Sequence, residues 1–328
     1  MKKHTKLIAL ALMAALVVSL AGCSTAPDAD DGDKVYKVGI CQLVQHDALD
    51  AATKGFRDAL TEKLGDQVQF DEQNASNEPN NCATIVNKFV SDGVDLIMAN
   101  ASASLTAAYN ATDSIPIVAT SITDYATALN IAVEDWTGKS GFNVTGTADL
   151  APLDQQAAMV KELVPDAKKV GIIYCSGEAN SKFQVSEITK ELEALGLSVE
   201  AYAFADTNDA TSIVTKAVNE CDVLYAPTDN TVASNGDLIN NIAEPKGIPL
   251  IAGESGICKK CGIATLSISY YDIGYEAGEM AYDILVNGTD PAEMNIVYTP
   301  EEKLTKMYDK ARCEKLNITV PDDYVEIQ

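Results

Sequence analysis

The sequence predicts an α/β protein with two similar lobes, each a parallel β-sheet flanked by helices. Short apolar runs rich in β-branched residues recur at intervals of about 25 to 30 residues, and amphipathic stretches separate them. The same alternation starts again near Leu153, which indicates a second copy of one architecture. After residue 22, no run reaches the roughly 18 apolar residues that a membrane-spanning helix requires, so neither lobe is expected to cross a bilayer.

The first 22 residues predict an export signal. Three lysines precede the apolar run Ile8–Leu20, which is followed by Ala21, Gly22 and Cys23. The Leu-Ala-Gly-Cys motif resembles the lipobox of bacterial lipoproteins. This resemblance implies cleavage before Cys23 and lipidation of its sulfur, with palmitate as an acyl chain of the lipid. The lipid would anchor the protein to the extracytoplasmic side of the bacterial cell membrane. Residues 23–35 would then be the lipidated cysteine and a flexible acidic tether. An ordinary signal peptide or an uncleaved anchor is the alternative.

The first lobe begins at Tyr36 and is predicted from six strand-like runs and three amphipathic helices. Gly65 and Gly93 follow two of these helices, as is typical after a helix C-terminus. The predicted strands are Tyr36–Leu43, Val68–Gln73, Leu96–Ala99, Ile117–Thr120, Ile131–Val133 and Val144–Thr145, and the helices are Asp47–Lys63, Asn80–Ser91 and Ser104–Asn110.

The second lobe repeats this order, beginning with a helix. The predicted helices are Leu153–Leu163, Ser181–Leu195, Asp209–Val218 and Gly236–Ala243, and the strands are Lys169–Tyr174, Val199–Phe204, Val223–Tyr225 and Pro249–Ala252.

The remaining residues are expected to complete both lobes. They read as a strand (Ala264–Ile268), a long helix (Tyr271–Val286), an extended piece (Asn295–Tyr298) and a final helix (Glu302–Leu316). If the long helix returns to the first lobe and the final helix to the second, the chain crosses between the lobes three times, as a hinge. The first lobe would be residues 36–148 with 269–294, and the second would be 149–268 with 295–328.

The charge excludes some partners. The whole chain carries a formal charge of -24, and removal of residues 1–22, with three lysines and no acid, leaves -27. Nucleic acid and anionic lipid surfaces attract basic patches, so neither is an expected partner. Strong acidity favours a soluble monomer.

The scarcity of histidine limits the chemistry. His46 is the one histidine after residue 22, so a Ser-His-Asp or Cys-His site would need it, and a multi-histidine metal site cannot be built. We also find no Gly-x-Ser-x-Gly elbow and no phosphate loop. The sequence therefore predicts neither an enzyme nor a cofactor or metal site.

Seven cysteines follow Cys23, so at least one thiol should be unpaired in an oxidising compartment. Cys258 and Cys261 form the one close pair and precede Gly262 and a strand. A local disulfide in a turn is the first interpretation, with redox chemistry or metal binding as alternatives. Cys41, Cys175 and Cys221 are expected to be buried free thiols, since they lie in or beside apolar strand-like runs.

The loops after the strands contain the candidate functional residues, because ligands of open parallel sheets bind beyond the carboxyl ends of the strands. These loops contain hydroxyls, amides and acids but no arginine, which disfavours a polyanionic ligand and suits a small zwitterion or a neutral polar molecule. The candidates are Gln42, His46, Asn100, Thr120, Ser121, Thr123, Asp124, Ser176, Glu178, Asn180, Ser181, Asp229, Asn230, Glu254 and Asp272.

Helix capping is the competing interpretation for many of these side chains. Ser181 and Asp272 stand where helices should begin, as do Asp47 and Ser104. Asp124 and Asp229 open no strong predicted helix and are the stronger ligand candidates. Aromatic residues near the loops could wall a pocket or pack on their own lobe, and both readings stay open for Tyr125, Trp136, Tyr270 and Tyr271.

Six short motifs occur in order between about Tyr36 and Pro321: Gln42-x-x-x-His46-x-Ala48-Leu49-Asp50, Thr123-Asp124, Asn143-Val144-Thr145-Gly146, Glu178-Ala179-Asn180-Ser181, Thr228-Asp229-Asn230-Thr231 and Tyr271-Asp272-Ile273-Gly274. Together they resemble the ABC-transporter substrate-binding lipoproteins, most closely the branch that binds tryptophan and other aromatic amino acids. The resemblance implies the type I periplasmic-binding-protein fold, in which two Rossmann-like lobes close over a ligand. It would place the ligand among eleven of the candidates: Gln42, His46, Thr120, Thr123, Asp124, Ser176, Asn180, Asp229, Asn230, Glu254 and Asp272.

The expected function is therefore capture of a small solute, with an aromatic amino acid as the favoured ligand, and its delivery to an ABC permease in the membrane. One alternative is a ligand sensor for a signalling partner. An alternative from another class is a secreted hydrolase that uses carboxylates.

Overall fold

The computed structural model describes residues 34–327, in which the chain forms two β-sheets with helices on their faces, as the sequence predicts. The first sheet has five parallel strands, and the second has seven strands, of which five of the six neighbouring pairs are parallel and one is antiparallel. The predicted export signal, the lipidation of Cys23 and the tether up to residue 33 lie outside the described residues. Within residues 34–327, no helix combines the length and apolarity needed to cross a bilayer.

The first sheet has the strand order β2-β1-β3-β4-β5. Its central strands are buried on both faces, because Ile40 and Met98 contact one apolar cluster while Cys41 and Ile97 contact the other. The strands are β1 (Tyr36–Gln42), β2 (Val68–Asn74), β3 (Leu96–Asn100), β4 (Ile117–Ile122) and β5 (Val144–Ala148), and the helices are α1 (Asp47–Leu64), α2 (Pro79–Asp92), α3 (Ser102–Ala111) and α4 (Tyr125–Leu129).

The predicted strand Ile131–Val133 is wrong. Residues 131–132 are irregular, and Val133 begins a short 3-10 turn with its side chain 81% exposed. A three-residue apolar run is too short to specify a strand, and the place beside β4 is taken by β5.

The second sheet has the strand order β12-β11-β10-β9-β8-β6-β7. Most of its elements match the predicted ones within a few residues. The strands are β6 (Lys169–Cys175), β7 (Ser198–Phe204), β8 (Val223–Ala226), β9 (Leu250–Ala252), β10 (Ala264–Ser267), β11 (Thr305–Tyr308) and β12 (Val325–Glu326), and the helices are α5 (Leu153–Leu163), α6 (Ala179–Ala194), α7 (Thr207–Glu220), α8 (Asn230–Ser234), α9 (Gly236–Ala243), α10 (Ser255–Cys261), α11 (Tyr270–Asn287) and α12 (Lys310–Lys315).

The predicted final helix Glu302–Leu316 is also wrong. Its first half forms β11, which pairs antiparallel with β10 and places Ala264 opposite Tyr308. Asp309 then ends the strand and caps α12 by accepting a hydrogen bond from the Arg312 backbone N–H at 2.8 Å. The open edge of β10 offers hydrogen-bond partners to the backbone of this segment, and local helix propensity does not take these into account. Sheet pairing therefore overrides the helical pattern.

The long helix α11 packs on α1 of the first lobe at backbone distance. A Cβ atom on Gly55 would lie 2.1 Å from the Tyr271 carbonyl oxygen, and one on Gly274 would lie 2.0 Å from that of Ala52. Glycine is therefore needed at both positions. In the sequence α11 lies between β10 and β11, which both belong to the second sheet. The chain therefore leaves the second lobe after β10 and returns to it before β11.

Candidate functional site

A small cavity lies between the lobes, where the loops after the strands of both sheets face each other. Its empty space, including the opening to solvent, is about 310 Å³. Seven of the sequence-predicted residues line it: His46, Ser121, Thr123, Asn180, Asp229, Asn230 and Glu254. Leu49, Ser102, Asp149, Thr228, Ala233 and Tyr270 complete the lining.

Hydrogen bonds between the lobes hold the cleft closed. Asn77 donates through Nδ2 to Oγ1 of Thr231 at 3.0 Å, and the Oγ1 atoms of Thr123 and Thr228 lie 3.5 Å apart. His46 Nε2 lies 3.2 Å from Asn230 Oδ1. These contacts join strand-end loops of opposite lobes, so they exist in the closed arrangement and are lost when the lobes separate.

The bond between His46 and Asn230 fixes the tautomer of the imidazole. Asn230 Nδ2 donates to Glu178 at 2.7 Å, so its Oδ1 is the acceptor and His46 Nε2 carries the proton. Burial lowers the pKa of His46, which favours the neutral ring. Nδ1 is then a free acceptor, and it is buried without a protein partner.

Ser121 offers a second unpaired polar atom to the cavity. Its backbone adopts the left-handed region, with φ of 58°, where the pairing of β4 with β5 is irregular. Its hydroxyl is buried and has no protein partner. Since buried polar groups are normally hydrogen-bonded, both this hydroxyl and His46 Nδ1 are available to a bound ligand.

Asp149 is a cavity residue that the sequence reasoning missed. Its carboxylate accepts hydrogen bonds from the Thr123 hydroxyl at 3.1 Å and the Tyr270 hydroxyl at 2.9 Å. Burial raises its pKa to about 6, against the lowering effect of these two bonds. The sequence pattern predicts a strand that is too short here. β5 continues to Ala148, which makes Asp149 a strand-end residue.

Glu254 is a second buried carboxylate in the cavity. Both of its oxygens accept backbone N–H groups, from Gly256 and Ile257, and so cap α10. Burial raises its pKa to about 7, although these hydrogen bonds favour the charged form. No lysine or arginine lines the cavity among the described residues, so the carboxylates face it without a cation.

Asp229 is held entirely by protein donors. Oδ2 accepts from the Cys175 backbone N–H and the Ser181 hydroxyl, each at 2.7 Å, and Oδ1 accepts from the Val232 N–H at 2.8 Å. Burial, followed by the charge of Glu178, raises its pKa well above the ordinary value. Asp229 therefore joins β6, α6 and α8 at the floor of the cavity.

Asp124 and Asp229, for which the sequence predicts no strong helix, both cap short helices. Asp124 accepts from the Thr127 N–H at 2.7 Å and caps α4, while Asp229 caps α8. Both helices have only five residues. Such short helices show no apolar periodicity, so the sequence pattern did not reveal them.

Eight predicted residues do not line the cavity. Three lie beneath it in a buried network, in which Gln42 accepts from Thr53 at 2.6 Å, Asn100 donates to the Leu49 carbonyl at 2.8 Å, and Thr120 accepts from Thr147 at 2.9 Å. Ser181 supports Asp229, and Glu178 binds the start of α8. Ser176 donates to the Phe204 carbonyl oxygen. Asp124 lines a wider groove beside the cavity, the outer groove. Asp272 is exposed, and its helix is capped by Ser269.

Of the four aromatic residues, Tyr270 alone lines the cavity. Tyr125 is buried beneath it, with its hydroxyl donating to the backbone oxygens of Ala119 and Thr147, and it stacks on Trp136 at 6.4 Å. Tyr271 lies on the surface and donates to Asp58.

A wider groove adjoins the cavity and opens to solvent. Its empty space is about 2030 Å³, and Ser102 and Asn180 line both spaces. Its walls combine apolar groups from both lobes, including Leu43 and Ala205, with acids such as Asp124. A ligand with its polar end in the cavity could extend into this groove.

The predicted disulfide between Cys258 and Cys261 is absent. Both cysteines are buried free thiols on α10, and Cys261 Sγ donates to the Ile257 carbonyl at 3.4 Å. The segment is a helix because Glu254 caps it, and the spacing alone could not distinguish a capped helix from a turn. Within residues 34–327, no group of three or more His, Cys, Asp or Glu side chains is arranged to hold a metal ion.

Comparison with known proteins places this geometry in a family. The profile of the ABC transporter substrate binding protein family matches residues 37–326. A tyrosine-binding protein of Clostridioides difficile is 37% identical over 297 residues, which cover 87% of this chain and 85% of the relative.

Two solved structures bear on the arrangement of the lobes. An ABC domain from Streptococcus pneumoniae in complex with L-Trp is 32% identical, covers 88% of this chain and 97% of its own, and superposes with a TM-score of 0.83. A ligand-free, open substrate-binding protein with adhesive properties from Clostridium difficile is 35% identical, with coverage of 90% and 99%, yet its TM-score is 0.67. The lobes here are therefore arranged more like those of the L-Trp complex.

Proposed function

The chain belongs to the ABC transporter substrate-binding protein family, and from this premise we propose that its solute is an aromatic amino acid bound in the cavity between the lobes. Proteins of this family bind small solutes outside the cytoplasm and deliver them to an ABC permease. The observation that supports the proposal most is the pair of buried carboxylates, Asp149 and Glu254, which face the cavity without a cation. Burial of such groups is costly unless a positive charge joins them.

The α-ammonium group of an amino acid supplies that charge. We assign it to Asp149, because Glu254 already accepts two backbone N–H groups, whereas Asp149 accepts two hydroxyls and remains open to the cavity. The α-carboxylate would lie near the hydroxyls of Ser102 and Ser121, beside the first N–H groups of α3.

The aromatic side chain would then reach the outer groove. The enclosed part of the cavity is small, so it would hold only a compact polar group such as the amino-acid head group. The groove that shares Ser102 and Asn180 has the apolar walls for a ring. The names of the relatives that bind tyrosine and L-Trp support this choice of side chain.

The proposal also covers the closing motion. A ligand stabilises the closed form only through contacts that it makes with both lobes there. In the proposed pose Ser121 and Asp149, which directly follows β5 and bonds to Thr123 and Tyr270, bind from the side of the first sheet, while Asn180 and Thr228 belong to the second lobe. Closure would present the loaded, monomeric protein to the permease.

The test is isothermal titration of the protein with tyrosine, phenylalanine and tryptophan, together with two analogues of tyrosine. Tyramine keeps the ammonium group and lacks the carboxylate, and hydroxyphenylpropionate keeps the carboxylate and lacks the ammonium group. We expect at least one aromatic amino acid to bind, and hydroxyphenylpropionate to bind about 100-fold more weakly because it leaves Asp149 unpaired.

Leucine serves as the control for the side chain. Equal affinity for leucine would contradict the aromatic ligand but leave the head-group site intact. Equal affinity for hydroxyphenylpropionate would contradict the ammonium assignment. Native mass spectrometry of the purified protein would identify a solute of another class, such as a sugar or nucleoside.

We further propose that Cys23 carries the lipid anchor and that residues 24–35 are the tether. The support is the Leu-Ala-Gly-Cys motif after an apolar run. A Cys23→Ala variant of the full chain is expected to lose metabolic labelling with radioactive palmitate, whereas Cys41→Ala should keep it. Undiminished labelling of the Cys23→Ala chain would refute the anchor.

A further inference from the structure

Two buried thiols meet beneath the cavity, in a part of the first lobe that the proposed solute site does not use. Cys41 is the penultimate residue of β1 and Cys82 lies in the first turn of α2, and both are fully buried. Cys41 Sγ donates to the Ser104 hydroxyl at 3.7 Å, and Cys82 Sγ lies 3.5 Å from the same hydroxyl oxygen. Both thiols therefore contact one hydroxyl oxygen, Cys41 from a strand and Cys82 from a helix.

No other described cysteine shows this combination of contacts across two elements. Cys221 Sγ contacts the Tyr202 hydroxyl at 3.3 Å, and Cys313 Sγ contacts the Ile263 carbonyl at 3.5 Å. Cys258 and Cys261 lie one turn apart on a single helix, so a bond between them would join no separate elements. Among the hydrogen bonds of residues 34–327, Cys41 and Cys82 are the two thiols that share one hydroxyl, and a bond between them would connect a strand to a helix.

We propose that Cys41 and Cys82 are an oxidisable pair, which peroxide converts into a disulfide linking β1 to α2. The chemical asymmetry of the pair fits this reaction. Hydrogen bonding from Cys41, followed by that from Ser104, lowers the pKa of Cys82 to about 7, whereas contact with Cys82 and burial raise the pKa of Cys41. Cys82 is then the nucleophile and Cys41 the thiol that resolves the intermediate.

The reaction is balanced with hydrogen peroxide as the oxidant. The Cys82 thiolate attacks one peroxide oxygen, the O–O bond breaks, and hydroxide leaves to give a sulfenic acid on Cys82. The Cys41 sulfur then attacks the Cys82 sulfur, the S–O bond breaks, and the leaving hydroxide takes the Cys41 proton as water. The two thiols lose two electrons in total, and peroxide is reduced to two waters. Peroxide is small enough to enter during local opening of the helix.

The disulfide would stabilise the cavity-facing end of the first lobe. It lies directly below three segments of the closed cleft: the loop after β1 with His46, the loop before α2 with Asn77, and the start of α3 with Ser102. It would also close a loop of about 40 residues, which lowers the conformational entropy of the unfolded chain. The proposed location outside the cytoplasm, where disulfides persist, favours the oxidised form.

The experiment treats the folded, full-length protein with hydrogen peroxide, blocks the remaining thiols with iodoacetamide in denaturant, and identifies the digested peptides by mass spectrometry. We expect a peptide pair linked through Cys41 and Cys82 that is lighter by two hydrogens and is released by a reducing agent. The Tm of the oxidised protein should rise by about 5 °C and return on reduction.

The matched variants are Cys82→Ser and Cys221→Ser. Cys82→Ser should abolish both the linked peptide and the rise in Tm, and Cys221→Ser should keep both. If Cys82→Ser does not fold, Cys41→Ser provides the same test. Recovery of Cys41 and Cys82 as alkylated thiols, or of Cys82 as a sulfinic acid without linkage, would overturn the proposal.

Discussion

Replacement of Asp149 by asparagine is expected to weaken binding of an aromatic amino acid by about 100-fold or more. Asparagine has nearly the shape of aspartate and can keep one of the bonds from Thr123 and Tyr270, so the fold should survive. The charge that would pair with the ligand ammonium group is removed in a buried, water-poor cavity, where the loss is largest. Isothermal titration with tyrosine, phenylalanine and tryptophan measures the effect.

Asp124→Asn is the matched control for Asp149→Asn. Asp124 also follows a strand of the first sheet, but it caps α4 and lines the outer groove, where the ring and not the ammonium group of the ligand would lie and where asparagine keeps the shape of the wall. Asparagine is an equally good N-cap, so affinity should change by no more than about threefold and stability very little. An equal loss in both variants, or no loss in Asp149→Asn, would refute the assignment of the ammonium contact.

The same assignment fixes the direction of the pH dependence. Burial raises the pKa of Asp149 to about 6, and a bound ammonium ion would favour the ionised carboxylate. Binding therefore expels a proton at lower pH, and affinity should fall as the pH drops below about 6. Asp149→Asn should reduce this dependence, and Glu254, whose pKa is raised to about 7, would account for the remainder.

Replacement of Asp229 by alanine is expected to destabilise the protein by roughly 3 to 5 kcal/mol, as the loss of a buried and fully hydrogen-bonded carboxylate does. The substitution leaves the Cys175 N–H, the Val232 N–H and the Ser181 hydroxyl without their acceptor. These three donors belong to separate elements of the second lobe. Urea unfolding monitored by circular dichroism gives the change in the free energy of unfolding.

Asp206→Ala is the control for that loss. Asp206 caps α7 by accepting from the Asn208 N–H at 2.7 Å, but it is exposed and joins no other element. Its loss should cost about 1 kcal/mol, as expected for an N-cap. A destabilisation by Asp229→Ala no larger than that by Asp206→Ala would show that Asp229 does not link the three elements.

Asp229 and Asp149 show which residues of the cavity the sequence pattern can predict. Asp229 was found because it follows a recognisable strand, but its role was misjudged, since α8 is too short to be visible in the pattern. Asp149 was missed because the small and hydroxyl residues Thr145 to Ala148 obscured the end of β5. The loops after the strands do line the cavity between the lobes, but the sequence pattern did not give their individual contacts.

The sequence by itself determined the two-lobed α/β fold, because alternating strand and helix periodicities are local and repeat along the chain. It also determined that the strand-end loops are acidic and polar and contain no arginine. The tertiary structure alone decided that β11 is a strand, because β11 pairs with the open edge of β10. It also decided that Cys258–Cys261 is helical, because Glu254 caps the helix. It also decided which side chains meet. Asp149 and Glu254 line one cavity, and Cys41 and Cys82 contact the same Ser104 hydroxyl, because packing brings together residues that sequence spacing does not relate.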